Sequence, residues 1–216
     1  ERKPWTLIDA SRDGGVWKTV DGGDTWTRLT DSSLDNGLPS ETLFGRIGLA
    51  ISPADPQRVW ALISAPDPHG GIWRTDDGGE SWRKVNRDRR FRQRHWYYSH
   101  LEADPQDPNT VYVMNTGTYR SVDGGRTWTF IRVPHGAVHD LWGNRIVFTD
   151  CRQPDCGGIY VQYNMDIFMV DLLTGEETRI TDAPGPQDEA SIQGDIIAWL
   201  DGRDDVWQQN GVWDAG

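Results

Sequence analysis

Short runs of alternating apolar and polar residues recur along the chain, and turn-forming residues separate them. In residues 46–64, Ile47, Leu49 and Ile51 alternate with smaller residues, and a Pro-Ala-Asp-Pro segment and a second apolar run follow. Residues 99–115 repeat this order around Pro-Gln-Asp-Pro. A period of two is typical of a half-buried β-strand, and Asp-Pro is a turn signal. The pattern predicts pairs of short antiparallel strands and an all-β fold.

A second pattern occurs three times, in residues 19–26, 75–82 and 121–128, with the form Thr/Ser-x-Asp-x-Gly-x-Thr/Ser-Trp. Each copy lies between two strand-like runs. Adjacent glycines allow the positive φ of a tight hairpin, and the aspartate can accept hydrogen bonds from the amides of its own turn. We predict a hairpin at each copy, covered by the tryptophan of the strand that follows.

These three copies resemble the Asp-box, or BNR, repeat of bacterial sialidases, xyloglucan-degrading glycoside hydrolases and sortilin-type receptors, which are β-propellers. The resemblance extends over residues 1–142. It implies that each Asp-box joins the third and fourth strands of a blade, on the face away from the usual ligand funnel. Asp21, Asp77 and Asp123 are therefore expected to be structural residues.

From Gly143 onward the pattern changes. Residues 143–152 are repeated at 194–203 in the form Gly-x-x-Ile-x-Phe/Trp-x-Asp-x-Arg, and residues 166–182 lie between the two copies. This part, residues 143–213, is similar to the TolB-like propeller repeat. Because no linker composition separates the two parts, we expect residues 1–216 to form one domain of mixed ancestry, with a recombined or engineered chimera as one origin.

Counting strands gives a single β-propeller of about five four-stranded blades, with four as the alternative. Blades are expected at about 43–85 and 96–132. Closure of the ring would pair N-terminal strands within 5–29 with C-terminal strands around 206–213. Closure removes the free strand edges that promote aggregation.

Charge restricts the possible partners. The chain has 22 basic and 33 acidic residues, a net charge of −11, which disfavours nucleic acid and anionic membranes. The basic run Arg87–Arg94 is interpreted as a solvated loop or as an internal partner of acidic residues. No apolar run is long enough to span a bilayer. We expect a monomer that is secreted or periplasmic, with a leader segment absent from this chain.

The only cysteines, Cys151 and Cys156, enclose a four-residue loop. Their spacing fits a local disulfide in an oxidising compartment, with two free thiols as the alternative. Neither a structural zinc site nor a redox Cys-x-x-Cys motif is present. No nucleotide or cofactor fingerprint occurs, so no cofactor and no metal are expected.

Ligands of propellers usually bind at the mouth of the central channel, and the richest loops predicted there are 86–100 and 132–140. Their arginine, histidine and aromatic side chains suit saccharide hydroxyls and sugar rings. The candidate substrate-binding residues are Arg46, Arg94, Trp96, Tyr98 and His100.

Glycoside hydrolysis requires two carboxyl groups, one as acid and one as base or nucleophile. Acidic residues are common in the loops of so acidic a chain. The aromatic residues could stack on sugar rings, but a place in the core of a blade is the favoured interpretation. The candidate catalytic residues are Asp140, Asp188, Glu189 and His139. For His139 the alternative is a polar rim residue bonded to backbone, because Pro134 and Gly136 favour a loop over a metal-binding helix.

Two functions follow. The first is a carbohydrate-acting hydrolase of the glycoside hydrolase kind, with its site at the channel mouth and a carbohydrate or other small ligand bound there; it rests on the family resemblance. The second is a non-catalytic propeller, either lectin-like or a protein-binding scaffold. Two converging carboxylates would distinguish the enzyme from the binding module.

Overall fold

The computed structural model describes residues 2–3, 6–7, 9–96, 99–131, 137–151, 165–202, 206–207 and 213–214. The chain divides into two compact units, residues 1–132 and 133–216. The described segments are almost entirely β-strand and turn, with one short 3₁₀ helix, so the prediction of an all-β fold is confirmed.

The first unit contains two strand pairs and two four-stranded antiparallel sheets in the orders β5-β6-β7-β8 and β9-β10-β11-β12. We call these the second and third sheets, and the pair β3-β4 the first sheet. Their bounds match the blades predicted at 43–85 and 96–132. The elements are β1 (Arg2–Lys3), β2 (Thr6–Leu7), β3 (Trp17–Lys18), β4 (Thr27–Arg28), β5 (Ile47–Ile51), β6 (Val59–Ile63), β7 (Gly71–Thr75), β8 (Arg83–Asn86), η1 (Arg89–Arg92), β9 (His100–Ala103), β10 (Val111–Met114), β11 (Thr118–Ser121) and β12 (Thr129–Ile131).

The second unit contains a four-stranded antiparallel sheet in the order β13-β14-β15-β16 and two strand pairs, β17-β18 and β19-β20. Because β19 pairs with β20 and β1 with β2, the predicted closure of a ring and the number of blades stay predictions. The strands are β13 (Ala137–Trp142), β14 (Arg145–Asp150), β15 (Asp166–Asp171), β16 (Glu177–Arg179), β17 (Gln187–Gln193), β18 (Ile196–Asp201), β19 (Val206–Trp207) and β20 (Trp213–Asp214).

Each predicted Asp-Gly-Gly hairpin joins the last two strands of its sheet. In the second sheet, Asp77 accepts hydrogen bonds from the amide of Ser81 at 2.9 Å and from the Thr75 hydroxyl at 2.6 Å. The indole of Trp82 donates to the Gly79 carbonyl at 3.2 Å. The same bonds occur around Asp21 and Asp123. The predicted structural role of the three aspartates is confirmed.

These turns also connect neighbouring sheets. The turn of the third sheet packs on the second, where the carbonyl of Gly124 accepts hydrogen bonds from Trp60 at 3.4 Å and from Arg74 at 3.0 Å. The turn of the second sheet packs on the first in the same way, since Glu80 pairs with Lys18 at 3.2 Å. The two contacts connect the three sheets of the first unit in chain order.

Burial of apolar side chains follows the predicted strands. In the second and third sheets, the core residues include Trp60, Leu62, Ile72, Val111 and Val113, none of which is exposed to solvent. Burying side chains of this size contributes about 1.5–3 kcal/mol each relative to exposure. The central strands β6 and β10 therefore carry much of the core of the first unit. This core positions the loops that follow the two strands.

Acid should destabilise the chain through the aspartate turns. Hydrogen bonds from Thr127 and Ser121 outweigh desolvation and lower the pKa of Asp123 to about 2, and bonds from Ser81 and Thr75 lower that of Asp77 to about 2. A carboxyl whose pKa is lowered by folding stabilises the native state above its unfolded value, near 4, and this contribution is lost as pH falls toward 2.

We therefore expect the free energy of unfolding to fall between pH 4 and pH 2. In the variants Asp77→Asn and Asp123→Asn it should be lower at pH 7 and should change less over that interval. Urea unfolding at several pH values measures both quantities. An unaltered pH dependence in the two variants would contradict the role assigned to these carboxylates.

Cys151, at the end of β14, is disulfide-bonded, which confirms the disulfide and excludes two free thiols. Cys156 and the arginines of the repeated Asp-x-Arg pattern, Arg152 and Arg203, lie outside the described residues. No helix among the described residues is long and apolar enough to cross a membrane.

Candidate functional site

A cleft of about 480 Å³ opens in the first unit where loops following and preceding the strands meet. Its walls come from the segment before β3, the residues just before β5, those just after β6, and η1 with the residues that follow it. The polar residues that line it are Asp9, Ser64, Arg89, Arg92, Gln93 and His95. A volume of this size is within the range of small-ligand sites.

Two of the lining side chains, His95 and Asp9, contact each other. The imidazole Nε2 lies 2.8 Å from the Asp9 carboxylate, and the two side chains are 21% and 27% exposed. Gly45 makes room for this pair, since a Cβ at that position would lie 3.0 Å from His95 Cδ2 and 3.2 Å from Ser64 Cβ. Both side chains are therefore partly exposed and line the cleft.

An arginine pair flanks the histidine. Arg92 donates to the Ala65 carbonyl at 3.0 Å and to Asp67 at 3.2 Å, while Arg89 donates through Nε to the same carboxylate at 3.1 Å. Hydrogen bonds from Arg89 and then Arg92 lower the pKa of Asp67. Asp67 therefore stays ionised at neutral pH and is not suited to act as a general acid.

The structure places several of the predicted substrate-binding residues next to this cleft. Arg46 follows Gly45 and is exposed, and its carbonyl accepts from the Ser64 amide at 3.2 Å. Arg94 is exposed between two lining residues and has a left-handed φ of 46°. Trp96 is 42% exposed, and its ring lies edge-on to His95 at 5.3 Å between centroids.

The structure does not place the other two predicted substrate-binding residues, His100 and Tyr98, at the cleft. His100 begins β9, is exposed, and lies 3.9 Å from the Glu102 carboxylate, which gives it a partner on its own strand. Tyr98 lies outside the described residues. The basic run Arg87–Arg94 has acidic partners inside the unit, Asp67 and Asp88, which confirms one of the two interpretations made from the sequence.

The predicted catalytic residues lie in the second unit. Asp140 accepts hydrogen bonds from the Leu141 amide at 2.8 Å, the Ser191 hydroxyl at 2.7 Å and the Ile192 amide at 2.9 Å. Both of its oxygens are used, and they connect β13 to β17. Asp140 therefore has a structural role in holding these two strands together.

Asp188 and Glu189 lie at a β-bulge in β17. The Asp188 carboxylate accepts from the amide of Glu189 at 2.9 Å. Glu189 is exposed with a φ of 50°, a conformation that non-glycine residues seldom adopt. His139 lies in β13, but its side chain is not among those described. The catalytic roles of all four residues stay predictions.

The pKa values of the described carboxyl groups do not identify a general acid. Among the described carboxyl groups, every pKa that is displaced from its ordinary value is displaced downward, as for Asp67, Asp76 and Asp171. Within the same part of the chain, no group of three or more histidine, cysteine or acidic side chains is placed to hold a metal ion.

Sequence reasoning missed Asp9 because it lies before the first Asp-Gly-Gly copy and has no counterpart in the repeats. It also missed the role of Ser64 and Asp67, which follow a strand that was correctly predicted. A signal for Ser64 and Asp67 was available, because loops that follow central strands often contact ligands. Which segments these loops lie against depends on how the sheets pack, and the sequence does not show that.

Over most of its length, the chain is similar in sequence to known xyloglucanases. No protein-family model matches it. A xyloglucanase from Paenibacillus sp is 25% identical over 209 residues, covering 79% of this chain and 18% of the enzyme. One from Acetivibrio thermocellus is 28% identical over 199 residues, covering 79% and 23%. The chain spans about a fifth of the length of these relatives.

Solved structures with a similar arrangement include the GH74 enzyme of Niastella koreensis, at 19% identity and a TM-score of 0.46 over 79% of this chain and 27% of that one. TolB from Acinetobacter baumannii aligns at 15% identity and a TM-score of 0.49, over 88% and 42%. By sequence, the chain is similar to xyloglucanases over about four fifths of its length.

Proposed function

We propose that the chain forms a carbohydrate-acting β-propeller of the glycoside hydrolase kind and that a saccharide binds in the cleft around His95. The observation that carries the proposal is the His95–Asp9 pair in a polar cleft, with an exposed tryptophan beside it. The similarity to xyloglucanases supports the ligand class. A ring of about five blades, made from Asp-box and TolB-like repeats, and a secreted location belong to the same proposal.

The chemistry of the cleft suits sugar hydroxyls. A hydroxyl both donates and accepts, so it can donate to the Asp9 carboxylate and accept from Gln93 or a protonated His95. The exposed face of Trp96 offers a flat apolar surface against which the C–H groups of a sugar ring can pack. A carboxylate and an amide in the cleft, with an exposed indole next to the lining residue His95, are groups that typically bind saccharides.

For hydrolysis we assign Asp9 as the carboxylate that contacts the reacting sugar and His95 as the residue that positions it. A carboxylate in hydrogen-bond reach can take a proton from the attacking water as general base and return it to the leaving oxygen, a contribution of about 10²–10⁴-fold. Asp140, Asp188 and Glu189 form the competing set, located in the second unit.

A non-catalytic saccharide-binding propeller is the second candidate, and the carboxylates favour it. Asp140 accepts three hydrogen bonds that connect β13 to β17, and the Asp67 carboxylate is neutralised by two arginines. A carboxylate held ionised by arginines, as Asp67 is, can hold a sugar or stabilise the fold, but it cannot donate a proton at neutral pH.

The test compares turnover and binding in one set of variants. Reducing ends released from xyloglucan measure hydrolysis, and calorimetry with a xyloglucan oligosaccharide measures binding. In Asp9→Asn we expect hydrolysis to fall about 100-fold or more while the affinity changes little. The matched control is Asp24→Asn, an exposed aspartate of the first Asp-Gly-Gly turn, which should leave both unchanged.

Each other outcome selects a different conclusion. Loss of hydrolysis in Asp140→Asn or Asp188→Asn, with Asp9→Asn active, would move the reaction to the second unit. Binding without hydrolysis in the unaltered chain would establish the non-catalytic module. If the chain neither binds nor hydrolyses any saccharide of a broad panel, the proposed function is wrong.

A further inference from the structure

The pair β17-β18 corresponds to the first half of a four-stranded sheet. Residues 194–203, which contain β18, repeat residues 143–152, which contain β14. β14 pairs with β13 on one side and with β15 on the other. β18 pairs with β17 only, among the strands that the structure describes. Its second edge, where β14 has β15, is therefore open in the described part of the chain.

Apolar side chains of β18 are exposed where those of β14 are buried. Phe148 of β14 is fully buried, whereas Trp199, at the same place in the repeat, is 39% exposed. Its neighbour Leu200 is 60% exposed, and Ile196, at the start of the strand, is 74% exposed. An edge strand with exposed apolar side chains is a template for pairing with another strand.

The pair β3-β4 corresponds to the second half of a four-stranded sheet. In the second and third sheets, the Asp-Gly-Gly turn joins the last two strands, so β3 has the place of β7 and β11. β7 pairs with β6 and β11 with β10 on the side away from the turn partner. Within the described residues, β3 pairs with β4 alone. It therefore has an open edge where a second strand lies in the other sheets.

The aromatic face of β3-β4 is exposed as well. Trp17 and Trp26 are 47% and 56% exposed, whereas Trp73 and Trp82, at the same places in the second sheet, are 9% and 7% exposed. The preceding sheet covers these two rings, since both belong to one core with Leu29 of β4 and its neighbours. The first sheet therefore presents a face that is built to pack on a further sheet.

We propose that the two halves complete each other between two copies of the chain. β18 of one copy pairs antiparallel with β3 of the other and gives a four-stranded sheet in the order β17-β18-β3-β4. Two such junctions, related by a two-fold axis, close a dimer in which each copy gives and receives one strand pair. The proposal goes beyond the proposed function, needs no saccharide, and replaces the expected monomer by a dimer.

The two halves are complementary in strand type and in apolar surface. One supplies the first two strands of a sheet and the other supplies the last two. Core residues that include Val147 and Ile192 hold β17-β18 against the four-stranded sheet of its unit. A sheet widened by β3 and β4 would extend over that same sheet. Trp17 would then have a neighbouring sheet to pack on, as Trp73 has.

Sedimentation equilibrium of the full 216-residue chain over a wide range of concentrations tests the dimer. We expect a species of twice the 24.5 kDa of one chain. Salt is kept at about 150 mM, where repulsion between two chains of net charge −11 is screened beyond about 8 Å.

Substitutions at the two edges identify the surface. Trp17→Lys and Leu200→Lys should each raise the dissociation constant of the dimer by about 100-fold or more. Every dimer carries the substitution twice, and loss of one buried apolar side chain changes an equilibrium constant by about tenfold or more. The controls are Val122→Lys and Leu173→Lys, which place the same charge at turn residues that are 57% and 67% exposed. They should leave the dimer unchanged, and circular dichroism checks that all four variants are folded.

Mixing the two edge variants tests whether the exchange is reciprocal. A mixed dimer contains one junction with both substitutions and one with neither, because β18 is unaltered in Trp17→Lys and β3 is unaltered in Leu200→Lys. We expect a complex in the mixture at concentrations at which each variant alone is monomeric. The dimer of the unaltered chain, which has two intact junctions, should be tighter.

Each other result overturns the proposal. A dimer that survives both edge substitutions uses another surface. Failure of the mixture to associate excludes reciprocal pairing. If the unaltered chain is monomeric throughout and the edge variants lower its free energy of unfolding, closure of a ring within one chain uses these edges instead. If it is monomeric and Trp17→Lys loses affinity for a xyloglucan oligosaccharide, the aromatic face binds saccharide. None of these results bears on hydrolysis by the cleft, which the Asp9→Asn variant tests separately.

Discussion

Replacing Trp60 with alanine lowers the free energy of unfolding of the first unit by about 3–5 kcal/mol. The side chain is completely buried in the core shared by the second and third sheets, and its indole donates to the Gly124 carbonyl of the next turn. The substitution removes the largest fully buried side chain among the described residues and leaves a cavity that the strands on both sides cannot fill. Urea unfolding followed by circular dichroism measures the loss.

Trp26→Ala is the control, because it removes a side chain of the same size from the first Asp-Gly-Gly hairpin, where the tryptophan is 56% exposed. We expect its free energy of unfolding to fall by less than about 1.5 kcal/mol. The interactions lost are the apolar contact of the ring with its own turn and one hydrogen bond to the Gly23 carbonyl. Equal losses in the two variants would show that packing between the sheets contributes little.

The second large effect is expected at Gly37. This residue has a φ of 88°, and a Cβ placed on it would lie 2.2 Å from the Trp82 carbonyl oxygen. Gly37→Ala combines backbone strain with a steric clash, and the clash cannot be relieved by a rotamer change because its partner is backbone. We expect a loss of about 2–4 kcal/mol in the free energy of unfolding.

Gly22→Ala separates the two contributions. Gly22 has a similar φ of 76°, but a Cβ there would meet no described atom within 4 Å. Only the conformational cost applies, about 1 kcal/mol. A thermal or urea unfolding curve for each variant gives the comparison. Equal destabilisation would contradict the close approach of the loop before β5 to Trp82.

The sequence predicted the strands of the second and third sheets closely because their signals are local. Alternation around Ile47 and the Asp-Gly-Gly pattern each depend on residues within one hairpin, and the observed sheets, β5–β8 and β9–β12, follow them. The 3₁₀ helix at Arg89–Arg92 was expected to be a loop. It is stabilised by the Asp88 side chain, which accepts from the Arg90 amide at 2.8 Å, a bond that periodicity does not reveal.

The sequence predicted one loop of the candidate site, but not the residues that the other segments contribute to it. The loop 86–100 was selected for its composition, and it does form one wall of the cleft. The opposite wall, with Asp9, comes from a segment 86 residues away from His95 in the chain, and only the packing of sheets brings the two together. Asp140 was chosen for its charge, but its hydrogen bonds to Ser191 and Ile192 depend on the register between two separate strands.

The turn contact between successive sheets has a consequence for how such a protein can change. Within the first unit, Gly124 of the third sheet contacts Trp60 and Arg74 of the second, and Glu80 of the second contacts Lys18 of the first, so each of these turns binds to the sheet before it in the chain. Duplication or deletion of the gene segment for one sheet would preserve both halves of this joint. The architecture therefore tolerates changes in repeat number, while each cleft between loops is free to diverge.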